Sequence, residues 1–161
     1  MSRDTVHLAS LHSPMTQTFT PANPDYERAV RESFARQGLM ATIGASIVDL
    51  GPGFCVVEMP YAPAVSQQQG FFHGGVIGAI ADTAAGYAAY SLMPDGAEIL
   101  TVEYKLNLIR AALPPKLRAE GRVLRAGRTL TVCRADVFHG DGKACALLQS
   151  TLMRMEAPEA R

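Results

Sequence analysis

A single carboxylate interrupts a long apolar segment of this chain. Residues 74–92 are mostly Ala and Gly, and Asp82 is the one charged residue among them. A segment that is apolar on every side predicts a helix that is buried on every side. Burying an unpaired carboxylate costs several kcal/mol, so Asp82 is expected either to accept a hydrogen bond from a neighbouring strand or to serve chemistry. Partial burial raises the pKa of a carboxylic acid, and its carboxylate is then a better base or nucleophile.

A second candidate lies at the predicted start of the same helix, where the chain reads His73-Gly74-Gly75. The first amides of a helix lack acceptors, and the helix dipole attracts negative charge there. The Gly74 amide is therefore a candidate oxyanion donor, and the two glycines let a substrate approach the backbone closely. A tight turn capped by His73 is the simpler alternative, because a lone His-Gly-Gly is a weak motif.

The spacing of the two candidates favours an assembly of two subunits. Gly74 and Asp82 are eight residues apart, which is about 12 Å along a helix and too far to serve one reacting carbonyl. Two chains related by a two-fold axis, with antiparallel helices side by side, can bring one Gly74 to the other Asp82. If both residues are catalytic, the sequence predicts a dimer with its site at the seam.

The elements that position these residues follow from periodicity and turn residues. A helix is expected over residues 23–38, with Asn23 or Asp25 as its cap and Gly38 as its stop. Strands are expected over the ranges 39–50, 54–61, 100–108, 116–123, 129–138 and 144–153. The first two strands form a hairpin around residues 51–53, and a polar loop over 62–72 leads into the long helix.

These elements predict an α+β fold in which about six antiparallel strands curl around one long central helix. The single domain is expected over residues 25–154, with a flexible arm over 1–24 and a frayed tail over 155–161. In 100–108 apolar and polar residues alternate strictly, which turns Thr101 away from the helix. Thr101 can reach the Asp82 region only if strand twist or a bulge redirects it.

Composition limits the possible partners and compartment. Hydrophobic residues make up 48% of the 161 residues, and 15 basic residues balance 15 acidic ones. This excludes a disordered chain and argues against nucleic acid or anionic lipid as a partner. Three widely spaced cysteines predict buried thiols in a cytoplasmic protein, and the four histidines lie at no metal-ligand spacing. No signal peptide or membrane span is predicted.

The segment Q-x-x-G-x-x-H-G-G-x-x-x-x-x-x-A-D, followed by T-V-E and G-R-T-L, resembles the hotdog-fold acyl-CoA thioesterases. The similarity covers about residues 30–154, and the nearest branch is that of the phenylacetate-pathway thioesterases. It implies Asp82 as general base or nucleophile and the Gly74 amide as oxyanion hole. It also implies that Gln67 holds the thioester or water and that Thr101 positions the water. Gln67 replaces a commoner Asn, so Gln68 or Gln69 are alternatives.

The resemblance also implies how coenzyme A is held, as part of the substrate and not as a cofactor. Basic residues are concentrated between positions 105 and 134, where they form either a solvated sheet face or a phosphate grip. Gly127 and Arg128 are the candidate phosphate contacts, and no metal is expected. Beside the oxyanion donor, His73 is predicted to be a catalytic residue and Gly75 a substrate-binding one. An apolar acyl slot is expected from aromatic residues that are otherwise core: Phe71, Phe72, Tyr87 and Tyr90.

Three functions fit this fold, and residue chemistry separates them. An acyl-CoA thioesterase uses Asp82, whereas a non-catalytic acyl-ligand binding protein has no need of a buried carboxylate. A hotdog dehydratase places a histidine beside its acid, and His73 lies at the helix start, away from Asp82. The resemblance further implies a homodimer at minimum, assembled into a homotetramer as a dimer of dimers.

Overall fold

A computed structural model describes residues 18–156 of the chain. Its helices and strands follow one another in the order expected from the sequence, with one additional short helix. The helices are α1 (Tyr26–Ala35), α2 (Gly38–Thr42) and α3 (Gly74–Tyr90), and a single 3₁₀ turn spans Pro63–Val65. The strands are β1 (Ser46–Gly51), β2 (Phe54–Pro60), β3 (Glu98–Leu108), β4 (Lys116–Ala126), β5 (Leu130–His139) and β6 (Ala144–Met155).

The six strands form one antiparallel sheet in the order β1-β2-β4-β5-β6-β3. The sheet packs against α3, most of whose side chains are buried. The α+β fold with a sheet wrapped around one long helix, predicted from the sequence, is thereby confirmed. Two strands lie at edges, β1 at one side and β3 at the other.

Helix α3 approaches the sheet closely where β4 carries a glycine. A Cβ built on Gly121 would lie 2.2 Å from the backbone oxygen of Ala84, so no other residue fits there without moving the helix. Alanine side chains along α3 extend this close packing, since Ala81, Ala84 and Ala88 are completely buried. The close contact fixes the rotation of α3 and thus the direction in which Asp82 points.

The strand predicted over residues 39–50 is wrong in its first part. Residues 38–42 form α2, and the strand begins only at Ser46. Met40 and Ile43 are buried three residues apart, which is a helical spacing, and the amide of Ile43 donates to the Leu39 carbonyl. Gly44 then takes a φ of +67°, which ends the helical turn before the strand. Gly38 therefore follows α1, as predicted, and is also the first residue of α2.

A bulge in β3 breaks the strict alternation expected there. Thr101 pairs with Leu152 and Glu103 with Thr151, so Val102 has no partner in β6. Before the bulge Thr101 faces α3, and after it Tyr104 and the next alternate residues do so. The prediction that Thr101 points away from the helix is therefore wrong, because one extra residue shifts the faces of a strand.

Four basic residues on the outer face of the sheet form ion pairs. Lys116 Nζ lies 2.8 Å from a Glu58 oxygen, and Arg118 Nε lies 3.0 Å from a Glu120 oxygen. Arg122 and Arg134 have carboxylate partners on the same face. The solvated-face interpretation therefore holds for half of the basic cluster.

The predicted N-terminal arm and C-terminal tail fall only partly within the described residues. Residues 18–24 contain no helix or strand, but Phe19 packs against the core and the Ala22 amide donates to the Leu92 carbonyl. The rest of the predicted arm, residues 1–17, and residues 157–161 of the predicted tail lie outside the described residues.

Candidate active site

Asp82 lines an open cavity of about 260 Å³ beside α3. Its carboxylate is half-buried, and the hydroxyl of Thr101 donates a 2.9 Å hydrogen bond to Asp82 Oδ1. Within residues 18–156 no ion pair involves Asp82. The structure thus brings together two of the residues singled out from the sequence, and the β3 bulge makes the contact possible.

The pKa of Asp82 is raised above the ordinary aspartate value. Burial is the larger cause, because it disfavours the charged form, and the hydrogen bond from Thr101 acts in the opposite direction. A carboxylate of raised pKa holds a proton more strongly after taking it from water. The group also lines the cavity directly.

Helix α1 supplies a wall of this cavity, which sequence reasoning missed. Ser33 of α1 lines it together with Arg36 and Gln37, which connect α1 to α2, opposite Tyr87 of α3. Gln37 Nε2 donates to the Tyr87 hydroxyl at 3.1 Å, and that hydroxyl donates to Ser33 Oγ at 3.3 Å. The available signal was the polar pair at positions i and i+4, next to the apolar stripe of α1.

The start of α3 has the geometry expected for a capped helix. His73 is the N-cap, and its Nδ1 accepts a 2.9 Å hydrogen bond from the Gly75 amide. Within the described part of the chain the Gly74 amide has no acceptor. The simpler capping role of His73 is therefore present, and it leaves the Gly74 N–H available to a ligand.

Gln67 is turned toward its own loop. Its side chain donates to Gln69 Oε1 at 3.2 Å and accepts from the Gln69 amide, while its backbone carbonyl accepts from Gly70. These contacts stabilise the turn that precedes His73. The structure does not place Gln67 in the Asp82 cavity.

Of the aromatic residues expected to form an acyl slot, the structure brings two to Asp82. Tyr87 and Tyr90 line the cavity, with their rings 6.1 Å apart in an edge-to-face arrangement. Phe72 is only 3% exposed and packs edge-on against Tyr61, with ring centroids 5.2 Å apart. Phe72 thus lies in the core of the subunit and does not face an opening.

Gly74 and Asp82 remain apart in one subunit. Both belong to the continuous helix α3, so about 12 Å separates them along its axis. Gly74 does not line the Asp82 cavity. The side chain that lies against Gly74 is Leu108, at the far end of β3 from Thr101.

Arg128 lies in the β4–β5 turn, outside the ion-paired part of the basic cluster. Its turn is held by the Gly127 amide, which donates to the Leu130 carbonyl at 2.8 Å. Arg128 and Arg154 line a second cavity of about 460 Å³ together with Thr129 and Glu156. Arg154 was missed from the sequence because it comes from β6, which only the folded sheet brings to this turn.

Other kinds of site find no support in the described residues. The three cysteines are buried, and burial raises the pKa of the Cys55 and Cys133 thiols to about 12, so neither is a thiolate nucleophile. Residues 18–156 contain no group of three His, Cys, Asp or Glu side chains able to hold a metal ion. No helix in this part of the chain is long and apolar enough to cross a membrane.

Comparison with known proteins gives the family. The thioesterase superfamily model matches residues 69–146, which include the His-Gly-Gly turn, α3 and β3–β5. A crystal structure of a thioesterase family protein from Silicibacter pomeroyi is 44% identical, with a TM-score of 0.80, over 82% of this chain and 99% of that one. The proofreading thioesterase EntH of Klebsiella pneumoniae is 27% identical over 66% of this chain and 78% of its own length.

A more distant structure shares the fold. The PaaI protein from the phenylacetic acid degradation operon of E. coli is 20% identical, with a TM-score of 0.77, over 84% of this chain and 97% of that one. Three findings agree: the sheet wraps around α3, the family model matches residues 69–146, and the sequence identity to the Silicibacter thioesterase family protein extends over 99% of that chain. The chain belongs to the thioesterase superfamily and is a thioester hydrolase with the hotdog fold.

Proposed function

We propose that this protein is a cytoplasmic acyl-CoA thioesterase that hydrolyses an acyl- or aryl-CoA thioester to the free acid and coenzyme A. The observation that carries the proposal is the half-buried Asp82 carboxylate, hydrogen-bonded to Thr101 and facing a cavity. As general base, Asp82 takes a proton from a water that attacks the thioester carbonyl carbon. As nucleophile, it attacks that carbon itself, and the resulting anhydride is then hydrolysed. In both routes the coenzyme A thiolate leaves.

The Gly74 amide is the proposed donor to the carbonyl oxygen as negative charge develops there. It is free within the described residues, and the start of a helix favours an anion. His73 holds the turn through the Gly75 amide and leaves the Gly74 N–H without a partner among the described residues. Gln67 supports the same loop from its preceding turn, and entry of the Gln67 or Gln69 side chain into the site requires their mutual contact to open.

An unpaired strand edge supports a shared site. β3 pairs with β6 on one side, and its large apolar side chains Leu100, Val102, Tyr104 and Leu108 are 48–56% exposed. A long apolar edge of this kind favours pairing with another strand, here β3 of a second copy. The protein is therefore proposed to be a homodimer at minimum, with a dimer of dimers formed through further surface.

The contacts of β3 explain how that pairing would complete the site. Thr101 lies against Asp82 near the start of β3, and Leu108 lies against Gly74 near its end. Antiparallel pairing about a two-fold axis near residues 104 and 105 sets Thr101 opposite Leu108 of the partner subunit. Gly74 of the partner subunit then approaches Asp82, which the 12 Å separation prevents within one chain.

Tyr87, Tyr90 and α1 form the proposed binding surface for the acyl group in the Asp82 cavity. Arg128 and Arg154, which line the second cavity, form the proposed binding site for the phosphates. Arg128 and Arg154 lie at the sheet end where β6 finishes and β3 begins, the same end as Glu98 and Ile99 of the Asp82 cavity. The phosphates of coenzyme A are polyanionic, and guanidinium groups bind phosphate oxygens well.

The direct test of the proposed function is a panel of acyl-CoA and aryl-CoA esters, with release of the coenzyme A thiol measured for each. Hydrolysis of one or more esters with kcat/KM in the range of ordinary enzymes, about 10⁴ M⁻¹s⁻¹ or above, is expected. Absence of thiol release across the panel, while the folded protein binds the same esters, would favour the acyl-binding alternative instead.

The acid limb of the pH–rate profile is expected to depend on Thr101. Hydrolysis needs the Asp82 carboxylate, so kcat/KM falls as pH drops through its pKa, which burial places above the ordinary aspartate value. The Thr101 hydrogen bond lowers that pKa, so Thr101→Val should move the midpoint of the limb to higher pH. Thr101→Ser keeps the hydroxyl and should leave the midpoint in place. A limb unaffected by Thr101→Val would remove the hydrogen bond from the mechanism.

Arg128→Ala is expected to raise KM for the coenzyme A ester by about fivefold with little change in kcat. A solvent-screened charge contact contributes up to about 1 kcal/mol, and it acts alike on ground and transition states. Wild-type KM should rise with salt, and the variant should lose part of that dependence. Lys143→Ala, at the opposite end of β5, removes the same charge and is the control. Equal KM values for the two variants would return Arg128 to a solvated surface role.

A further inference from the structure

Gly86 lies in the wall of the Asp82 cavity, at a position where the helix itself does not require glycine. It belongs to the interior of α3, and its φ does not lie in the left-handed region. Glycine in such a position destabilises a helix relative to alanine, because it loses more backbone freedom on folding. The reason for a glycine must therefore be sought in the space around it.

The surrounding protein atoms leave room for a side chain at Gly86. A Cβ built there would meet only Leu152 Cδ2, at 3.8 Å, an ordinary contact distance. At Gly121 the built Cβ overlaps the Ala84 backbone, and at Gly74 it lies 3.0 Å from Leu108. Those two glycines are explained by packing or by a close approach, whereas the free space at Gly86 belongs to the cavity.

We propose that Gly86 is a specificity-determining residue, whose missing side chain lets the acyl group pass from Asp82 along α3 toward Tyr90. This inference rests on the proposed acyl-CoA hydrolysis at Asp82. Asp82, Gly86 and Tyr90 follow one another at intervals of four residues, so they share one face of α3, and all three line the cavity. The substrates are then thioesters whose acyl group extends well beyond the carbonyl carbon.

The helix rise gives the size of that acyl group. Gly86 lies about 6 Å along the axis from Asp82, and a chain needs at least about four carbon–carbon bonds of roughly 1.5 Å to span this distance. The cavity, at about 260 Å³, holds roughly eight groups of the size of a water molecule. An acetyl group therefore ends before Gly86, and a hexanoyl group passes it.

The test compares hydrolysis of acetyl-, butanoyl-, hexanoyl- and octanoyl-CoA by the wild-type protein and by Gly86→Ala and Gly86→Val. The kcat/KM ratio of hexanoyl-CoA to acetyl-CoA should fall about tenfold or more in Gly86→Ala and further in Gly86→Val, since one methylene in a hydrophobic pocket changes selectivity by that order. The thermal midpoint of Gly86→Ala should equal or exceed that of the wild type. Gly38→Ala, in α2 with nothing within 4 Å of the built Cβ, is the matched glycine-to-alanine control.

Several outcomes overturn the inference. The first is a kcat/KM ratio of hexanoyl-CoA to acetyl-CoA that is unchanged in Gly86→Ala, and the second is a wild-type enzyme that hydrolyses only acetyl-CoA. The third is a change of oligomeric state in Gly86→Ala, measured by light scattering, which would mean that a partner subunit occupies the space. Failure of the wild-type protein to hydrolyse any ester would contradict the proposed function itself. An active enzyme whose preference for acyl-chain length is the same in the wild type and in Gly86→Ala would contradict only the inference about Gly86.

Discussion

Asp82→Asn is expected to lower kcat by about 10²- to 10⁴-fold, the usual loss when a general base is removed, or roughly 3–5 kcal/mol of barrier. Asn keeps the shape of the side chain and can still accept the hydrogen bond from Thr101, but it cannot take a proton from water or attack the thioester. The measurement is steady-state hydrolysis of the best ester of the panel by the purified variant.

The fold of the Asn variant should be intact, and its thermal midpoint should not fall. Burial raises the pKa of Asp82, which means that the folded protein disfavours the charged form that Asn replaces. Asp49→Asn is the matched control, because Asp49 is exposed on the edge strand β1, away from the cavity. Turnover equal to that of the control in a folded Asn variant would contradict a catalytic role for Asp82.

Gly74→Pro is expected to reduce kcat by roughly 10²- to 10³-fold, the loss found when one oxyanion donor is removed. Gly74 is the first residue of α3, a position that proline accepts, and His73 before it has the extended backbone that proline requires. The substitution therefore deletes the N–H and preserves the helix. Circular dichroism checks the helix, and hydrolysis of the same ester gives kcat.

The control for this change is Gly74→Ala, which keeps the N–H. Both variants add a Cβ that approaches Leu108 to about the same extent, so a steric effect on the loop would appear in both. Low activity in Gly74→Pro alone supports an oxyanion donor. Equal activities in the two variants would exclude the amide from the reaction.

Much of the fold could be predicted because its signals are local. The apolar residues of α3, the turn at residues 51–53 and the alternation in β4 each indicate one structure, and all three are confirmed. The apolar run that begins at residue 39 fits a strand as well as a helix, and only burial of Met40 and Ile43 on one face decides for α2. Short runs of this kind are settled by tertiary packing.

The site was predictable where one residue conflicts with its surroundings and not where distant segments meet. Asp82 was conspicuous as the single charge of an apolar helix, and Thr101 followed from the family resemblance. The contact between them depends on the bulge at Val102, which no alternation of residue types indicates. The cavity wall contributed by Ser33 and Gln37 depends on how α1 packs across α3, a tertiary contact that sequence spacing does not encode.

Subunit complementation tests the central claim, that Asp82 of one chain and Gly74 of another act on the same carbonyl. Asp82→Asn and Gly74→Pro chains, each inactive alone, are mixed in equal amounts under conditions of proven exchange. About a quarter of the wild-type activity should return, because random exchange makes half of the dimers mixed and each mixed dimer has one intact site of two. No recovery despite exchange, or a fully active monomer by light scattering, would contradict the shared site.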